Sequence, residues 1–377
     1  MKIKHLILTT LLFIFAELPL AAQLFNKSFT NKTPHQVVSL KKNDFFNNQA
    51  KNVILLIGDG MGINQIFAAL TANRGELNMT QMPFTGYSLT QSANKYITDS
   101  AAGATALSTG QRSYNGAIAV DTNRVPIPTI LEISKSNGYA IGLVTTSSIT
   151  HATPASFIAH QSSRNMEEEI AENFIDSDID LFIGGGRRFF ASRKDKRNLL
   201  KELMYDNYLI HGSLEEAANA NQLKLAIFTA NNQNKTYPKR GDLLPDATEK
   251  AIDLLKNNEK GFFLMVEGSM IDWGGHRNNT KYIVLETLDF DRAIGKALEY
   301  ASSNKETLVI VTADHETGGM SVANGNIEKG KVSANFTTLG HTAVMVPVFA
   351  YGAGADKFTG VYKNTEVFNK IMESLGF

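Results

Sequence analysis

The 377-residue sequence has no cysteine. Disulfides are therefore excluded, and stability has to come from core packing and, on the reading developed below, from bound metal. A diacylglycerol anchor is excluded too, because no Cys follows the N-terminal apolar run. Net charge is also lacking, with Lys plus Arg and Asp plus Glu at 37 each. No global field draws the chain to nucleic acid, an acidic membrane surface or a polyanion, so any attraction for an anion has to be local. There is no internal repeat and no low-complexity segment. An apolar stretch long enough to span a membrane is missing at the N-terminus: Leu6–Ala16 is too short and Glu17 ends it. With Lys2 and Lys4 before it and Leu20-Ala21-Ala22 after it, residues 1–22 read as a secretory signal peptide. Leu20 is large for a residue so close to a cleavage point. The expected location is periplasmic or secreted, with no membrane anchor and no nucleic-acid binding.

What the chain does have is the 43% hydrophobic content of a soluble globular protein with a sizeable core. At roughly 100–200 residues per domain, its length allows one large domain or two ordinary ones. Residues 23–50, rich in Asn and Lys, read as a flexible lead-in, and the folded unit is expected over 51–377. Strands are predicted at Val53–Ile57, Ala140–Thr145, Asp180–Ile183, Phe262–Glu267, Thr307–Thr312 and Val346–Tyr351. Helices are predicted at Gly62–Asn73, Ala101–Ser108, Met166–Phe174, Asp246–Asn257 and Tyr282–Ser302. Strands apolar throughout and separated by helices imply an α/β fold, a mostly parallel central sheet covered by helices on both faces. Ala191–Arg240, polar and mixed, reads as a helical insertion. Gly318–Leu339 suits a loop or hairpin beside a site.

In such folds functional groups gather beyond the carboxyl ends of the strands. Four predicted strands lead into side chains of ligand type: Gly58-Asp59-Gly60, His151-Ala152-Thr153, Glu267 with Asp272 and His276, and Asp314-His315. Taken singly, each has a plain structural explanation. Asp59 can cap the following helix, and Asp314-His315 can be a buried ion pair. Asp272 and His276, four apart, share a helix face and can grip one ion. His341 lies between Gly340 and Thr342, where little bulk obstructs close approach. Together they offer enough oxygen and nitrogen ligands for two zinc ions. Ser100 precedes a run of small residues, Ala101-Ala102-Gly103-Ala104, and can be a helix N-cap or a nucleophile at an anion-binding helix end.

Six segments in order, Gly58-Asp59-Gly60-Met61-Gly62, Thr98-Asp99-Ser100-Ala101-Ala102, His151-Ala152-Thr153-Pro154-Ala155, Glu267-Gly268-Ser269-Met270-Ile271-Asp272, Thr312-Ala313-Asp314-His315-Glu316-Thr317-Gly318-Gly319 and Gly340-His341-Thr342, resemble the alkaline phosphatases from about Lys51 to the C-terminus. The resemblance implies an alkaline phosphatase-like three-layer sandwich forming one catalytic domain over 51–377. It also implies hydrolysis of small phosphate monoesters through a phosphoserine on Ser100. One zinc would be held by Asp272, His276 and His341, a second by Asp59, Asp314 and His315, and a magnesium by Asp59, Thr153 and Glu267. Arg164 stands where the family grips phosphate, and Asp99 would orient its guanidinium. Read without the family, Arg164 is a solvated surface charge. A homodimer is the family habit.

Two positions depart from the pattern. His151 stands where some relatives carry an aspartate, which puts the third metal's identity in question. Trp273 stands where relatives vary between Lys and His, and an indole cannot supply a positive charge near phosphate. Both would border the substrate. In the implied chemistry one zinc activates the Ser100 hydroxyl and the other stabilises the departing alkoxide. A phosphodiesterase or nucleotide pyrophosphatase of the same superfamily is the nearest rival. Such relatives usually lack the third metal site, so Thr153 and Glu267 favour the monoesterase. A non-catalytic phosphate- or metal-binding module is the rival from another class.

Overall fold

Short runs of β-branched and aromatic residues, buried along their whole length, build the centre of the molecule. In the computed structural model, which describes residues 28–40 and 45–377, they form one ten-stranded sheet. Across it lie, in order, Gly360–Lys363, Phe84–Leu89, Val346–Gly352, Thr307–Thr312, Asn52–Gly58, Phe262–Gly268, Ala140–Ser148, Leu181–Gly185, Leu225–Phe228 and Leu209–His211. Only Val346–Gly352 runs against its neighbours, pairing antiparallel with Phe84–Leu89 and Thr307–Thr312. The other pairings are parallel.

Period-two alternation sorts each strand's side chains into two cores. In Asn52–Gly58, Ile54 and Leu56 enter a core shared with Ile283, Val284 and Ile294 of the helix Thr280–Ser303 and with Leu255 of the helix Leu243–Leu255. Val53, Leu55 and Ile57 face the other way. They join Ala101, Ala104 and Leu107 of the helix Ser100–Thr109, together with Ile371 of the helix Thr365–Leu375. The sheet is therefore sandwiched between two helical layers, the α/β architecture expected.

Two expectations need correction, and a third resolves to one of its alternatives. The stretch 191–240 is not a helical insertion. It carries the helix Leu199–Tyr205 and then two strands, Leu209–His211 and Leu225–Phe228, that finish one edge of the sheet. Within the stretch read as a flexible lead-in, Ser28–Thr30 pairs antiparallel with Lys331–Asn335, and His35 Nε2 lies 2.8 Å from buried Asp291 Oδ2. In the stretch 318–339 the hairpin alternative is the one formed, between Ser321–Asn326 and Lys331–Asn335. The expected signal peptide, residues 1–22, lies outside the described residues. No helix among the described residues is long and apolar enough to cross a membrane.

Candidate active site

The central strands deliver their ligands by ending side by side. Asn52–Gly58 pairs in parallel with Phe262–Gly268 on one flank and with Thr307–Thr312 on the other, so Asp59, Glu267 and Asp314 emerge at one rim of the sheet. Asp59 and Glu267 are fully buried, and Asp314 nearly so. Burial raises the Asp59 carboxyl well above its ordinary value, and the charges of Asp314, Asp272 and Glu267 raise it further. Burial, then the nearby Asp272 charge, pushes Asp314 up to about 7. Burial also raises Glu267, against partial relief from the hydroxyls of Thr145 and Ser269. Carboxylates crowded together away from water call for a cation.

Donor atoms of Asp59, Asp314 and His315 lie within 4.8 Å of one another, as do those of Asp59, His151 and Glu267 and those of Asp272, His315 and His341. The ligand atoms of Asp59, Asp314 and His315, expected for the second zinc, thus lie together, whereas the group around Asp59 and Glu267 includes His151, with Thr153 buried in the short helix Ala152–Ala155. In the remaining set His315 approaches more closely than expected, and His276 stands at its exposed edge. His276 Nε2 is 3.3 Å from Asp272 Oδ2 and 3.2 Å from His341 Nε2.

Hydrogen bonds on the far side of two of these rings decide which nitrogen is free. His276 Nδ1 lies 2.6 Å from the Leu339 carbonyl, and His341 Nδ1 lies 2.9 Å from the Thr98 carbonyl. A carbonyl can only accept, so both rings donate through Nδ1 and turn Nε2 towards each other beside Asp272. Asp272 is held well below the usual carboxylate range: burial would raise it, but hydrogen bonds from His276 and His341 prevail. Burial first, then the His341 charge, lowers His315 far below its ordinary value, so its ring is neutral.

Ser100 opens the helix Ser100–Thr109, with its hydroxyl 3.2 Å from His315 Nε2 and 3.5 Å from Asp59 Oδ1. Asp99 is the N-cap, accepting from the Ala102 amide at 3.0 Å. The expected alternative, a capping serine, is thereby displaced by one position. Small residues let this helix end approach the cluster; a Cβ on Gly103 would lie 3.0 Å from Asp314 Cβ. Arg164 is not a free surface charge. Its Nη1 is 3.3 Å from Asp99 Oδ2, and its Nη2 is 3.2 Å from His151 Nε2. Trp273 sets its ring edge-on to His151, centroids 6.3 Å apart. Spacing along the chain gave no sign of the hydroxyls around Glu267, where Thr145 Oγ1 donates at 2.5 Å. Nor did it mark Glu316 and Thr317, which lie inside a quoted motif but carry no ligand role.

A sequence profile of the alkaline phosphatases matches residues 50–333. Alkaline phosphatase 4 of Bacillus subtilis is 35% identical, the match covering 89% of this chain and 91% of that protein. Alkaline phosphatase of Escherichia coli is 34% identical over 87% of this chain and 86% of its own length. The structure of alkaline phosphatase from the Antarctic bacterium TAB5 superposes with a TM-score of 0.83 at 43% identity, covering 88% of this chain and 99% of that one. Variants of that enzyme with a histidine changed to aspartate or glutamate carry Mg in a site called M3.

Proposed function

The chain belongs to the alkaline phosphatase family and is a phosphoric monoester hydrolase, and we propose that it works through a phosphoseryl intermediate on Ser100, with divalent cations held by the carboxylates and imidazoles around that residue. The observation that carries this reading is a set of buried ligand atoms with nothing to bind. Asp59 Oδ2, Asp314 Oδ2 and Glu267 Oε1 make no hydrogen bond. Beside them His276 and His341 bring their Nε2 atoms to 3.2 Å of each other, next to Asp272. Unpartnered buried polar groups are costly, at roughly 1–3 kcal/mol each and more when charged. Cations among them would remove that cost.

The donor set fits two zinc ions, one on Asp272, His276 and His341 and one on Asp59, Asp314 and His315. Asp59, Thr153 and Glu267 fit a magnesium ion, and the adjacent His151 imidazole would suit zinc at the same place once it released Arg164 and turned its lone pair to the ion. Elemental analysis of the purified protein distinguishes these compositions. When bound, the ions supply a lowered pKa for the serine hydroxyl and for water, and neutralise charge on the departing oxygen.

The chain's own residues do the rest. Ser100 Oγ attacks phosphorus, the bond from phosphorus to the alcohol oxygen breaks, and the alcohol leaves. Water then attacks the phosphoserine, releasing phosphate and regenerating the hydroxyl. Arg164, fixed by Asp99, offers its planar fork to two non-bridging oxygens, and the N-terminus of the serine's helix adds its positive end. In Ser100→Ala the expected result is a kcat lower by about 10³-fold or more, roughly 4 kcal/mol. Metal content should be unchanged, and no phosphoprotein should remain after acid quench. A phosphoprotein persisting in that variant removes Ser100 from the scheme.

Two finer inferences attach to the same reading. The basic, apolar and small-residue pattern of residues 1–22 supports export, which N-terminal sequencing of the mature chain tests. The family habit supports a homodimer, which light scattering tests.

A further inference from the structure

Two consecutive residues with no role in that chemistry, Glu316 and Thr317, reach ligands of both zinc sites. We propose that this two-residue strand is a positioning clamp, aiming Asp272, His315 and His341 before any cation arrives. The proposal rests on the two-site reading above and adds the residues that make those sites rigid.

Thr317 is fully buried. Its hydroxyl lies 2.5 Å from Asp272 Oδ1 and 3.2 Å from His315 Nδ1. A hydroxyl has one proton. Asp272 is an ionised carboxylate that can only accept, so that proton goes to Asp272. The remaining contact then requires His315 to donate from Nδ1 to the threonine oxygen. This fixes the tautomer and leaves Nε2 as a lone pair, 3.4 Å from Asp59 Oδ1, 3.3 Å from Asp314 Oδ2 and 3.2 Å from Ser100 Oγ. One hydroxyl thus orients a ligand of the first zinc and a ligand of the second. Outer partners of this kind set ring orientation and ligand basicity in metal sites.

Glu316 acts on the third ligand. His341 sits on a two-residue strand, His341–Thr342, whose only partner strand among the described residues is Glu316–Thr317, with Thr317 opposite His341 and Glu316 opposite Thr342. So short a pairing gives little register of its own. The Glu316 carboxylate reinforces it by accepting from the Thr342 hydroxyl. It also accepts from Gln65 Nε2 at 2.7 Å, from the Met320 amide at 3.0 Å and from the Gly319 amide at 3.2 Å. Gln65 belongs to the helix Ile63–Ala72 that follows Asp59, so the carboxylate ties the His341 strand to the segment leaving the second site. Gly62 makes room for it: a Cβ there would stand 2.4 Å from Glu316 Cγ. The second glycine of Gly60-Met61-Gly62 is accordingly a requirement of the clamp.

The test is zinc release from the loaded full-length protein to a chromogenic chelator, comparing wild type with Thr317→Val, Thr317→Ser and Glu316→Gln. Wild type should release two tightly held zinc ions. Thr317→Val should weaken both by about 10- to 100-fold, whereas Thr317→Ser, which keeps the hydroxyl, should stay near wild type. Glu316→Gln should weaken one ion within that range and leave the other unchanged. Wild-type affinities in Thr317→Val overturn the proposal, as do equal losses in the Val and Ser variants, which would assign the effect to packing. Should Thr317→Val not fold, nitrogen NMR of the chelated wild type decides: a proton on His315 Nδ1 supports the clamp, and one on Nε2 overturns it. A wild type that holds no zinc overturns instead the two-site reading on which the clamp depends.

Discussion

Trp273 is where a single side chain bears most directly on turnover. Its ring stands edge-on to His151, which in turn accepts from Arg164. Neither neighbour of that arginine brings positive charge of its own. The indole has none, and burial followed by the Arg164 charge pushes His151 down to about 3. Among the side chains, Arg164 would therefore be the one cationic group on the phosphate, beside the cations and the N-terminus of the serine's helix. Trp273→Lys adds one partly buried ammonium and should tighten inhibition by phosphate roughly tenfold, about 1.4 kcal/mol. If release of phosphate limits turnover, kcat should fall with it. Inhibition that is unchanged or weaker would remove this account of Trp273. Most ligand-type residues were legible in the sequence because each follows an apolar run at the end where parallel strands place their sites. Other contacts were not. Asp99 and Arg164 meet across 65 positions, and the hydroxyls of Thr145, Thr317 and Ser269 are ordinary residues until sheet register brings them to Glu267 and Asp272.

At the level of elements, all six predicted strands exist, since a fully buried parallel strand needs a continuous apolar run and such runs stand out. Of the unread strands in the main sheet, Phe84–Leu89 is interior but half-exposed, and Leu225–Phe228 is buried but only four residues long. Leu209–His211 and Gly360–Lys363 have one neighbour each and are partly exposed, so no apolar run marks them. Direction is equally hidden: Val346–Gly352 is as apolar as its parallel neighbours yet runs the other way. The helix expected at Asp246–Asn257 begins earlier, at Leu243, because Pro245 falls in its first turn, where proline is tolerated. Beside it lies a buried network the sequence did not betray. Arg240 donates to Glu286 Oε2 at 2.6 Å and to Asp289 Oδ2 at 2.5 Å, two carboxylates for one guanidinium, with Arg292 3.8 Å from Asp289 Oδ1. Burial outweighs the pull of Arg240, raising Asp289 from 3.8 to about 6 and raising Glu286 as well. Between those values the folded chain binds more protons than the unfolded chain. The contribution of Asp289 to stability therefore falls as pH rises from about 4 to about 6. Asp289→Asn keeps an acceptor for Arg240 without the charge. Its Tm relative to wild type should rise across that interval, and a difference independent of pH would refute the assignment.

For the molecule as a whole, the lack of cysteine leaves the cation sites as its only means of cross-linking distant segments among the described residues. The proposed ligands come from Asp59, His151 to Thr153, Glu267 to His276, Asp314-His315 and His341, so bound ions would close loops spanning most of the chain. The same residues are a liability when empty, because burial and mutual repulsion raise Asp59 and Asp314 above the ordinary carboxylate range. Metal binding and folding are then one equilibrium. A ligand at a hundred times its Kd stabilises the folded state by about 2.7 kcal/mol per site, so two such sites give about 5 kcal/mol. At ~2.1 cal/mol/K of unfolding entropy per residue, each kcal/mol shifts a chain of 377 residues by about 1.3 °C, so excess chelator should lower Tm by roughly 5–10 °C. Added zinc should restore Tm together with activity. Scanning calorimetry with and without chelator measures this. A melting temperature indifferent to the chelator would mean that the buried carboxylates are satisfied without cations, and the case for metal-dependent chemistry would go with it.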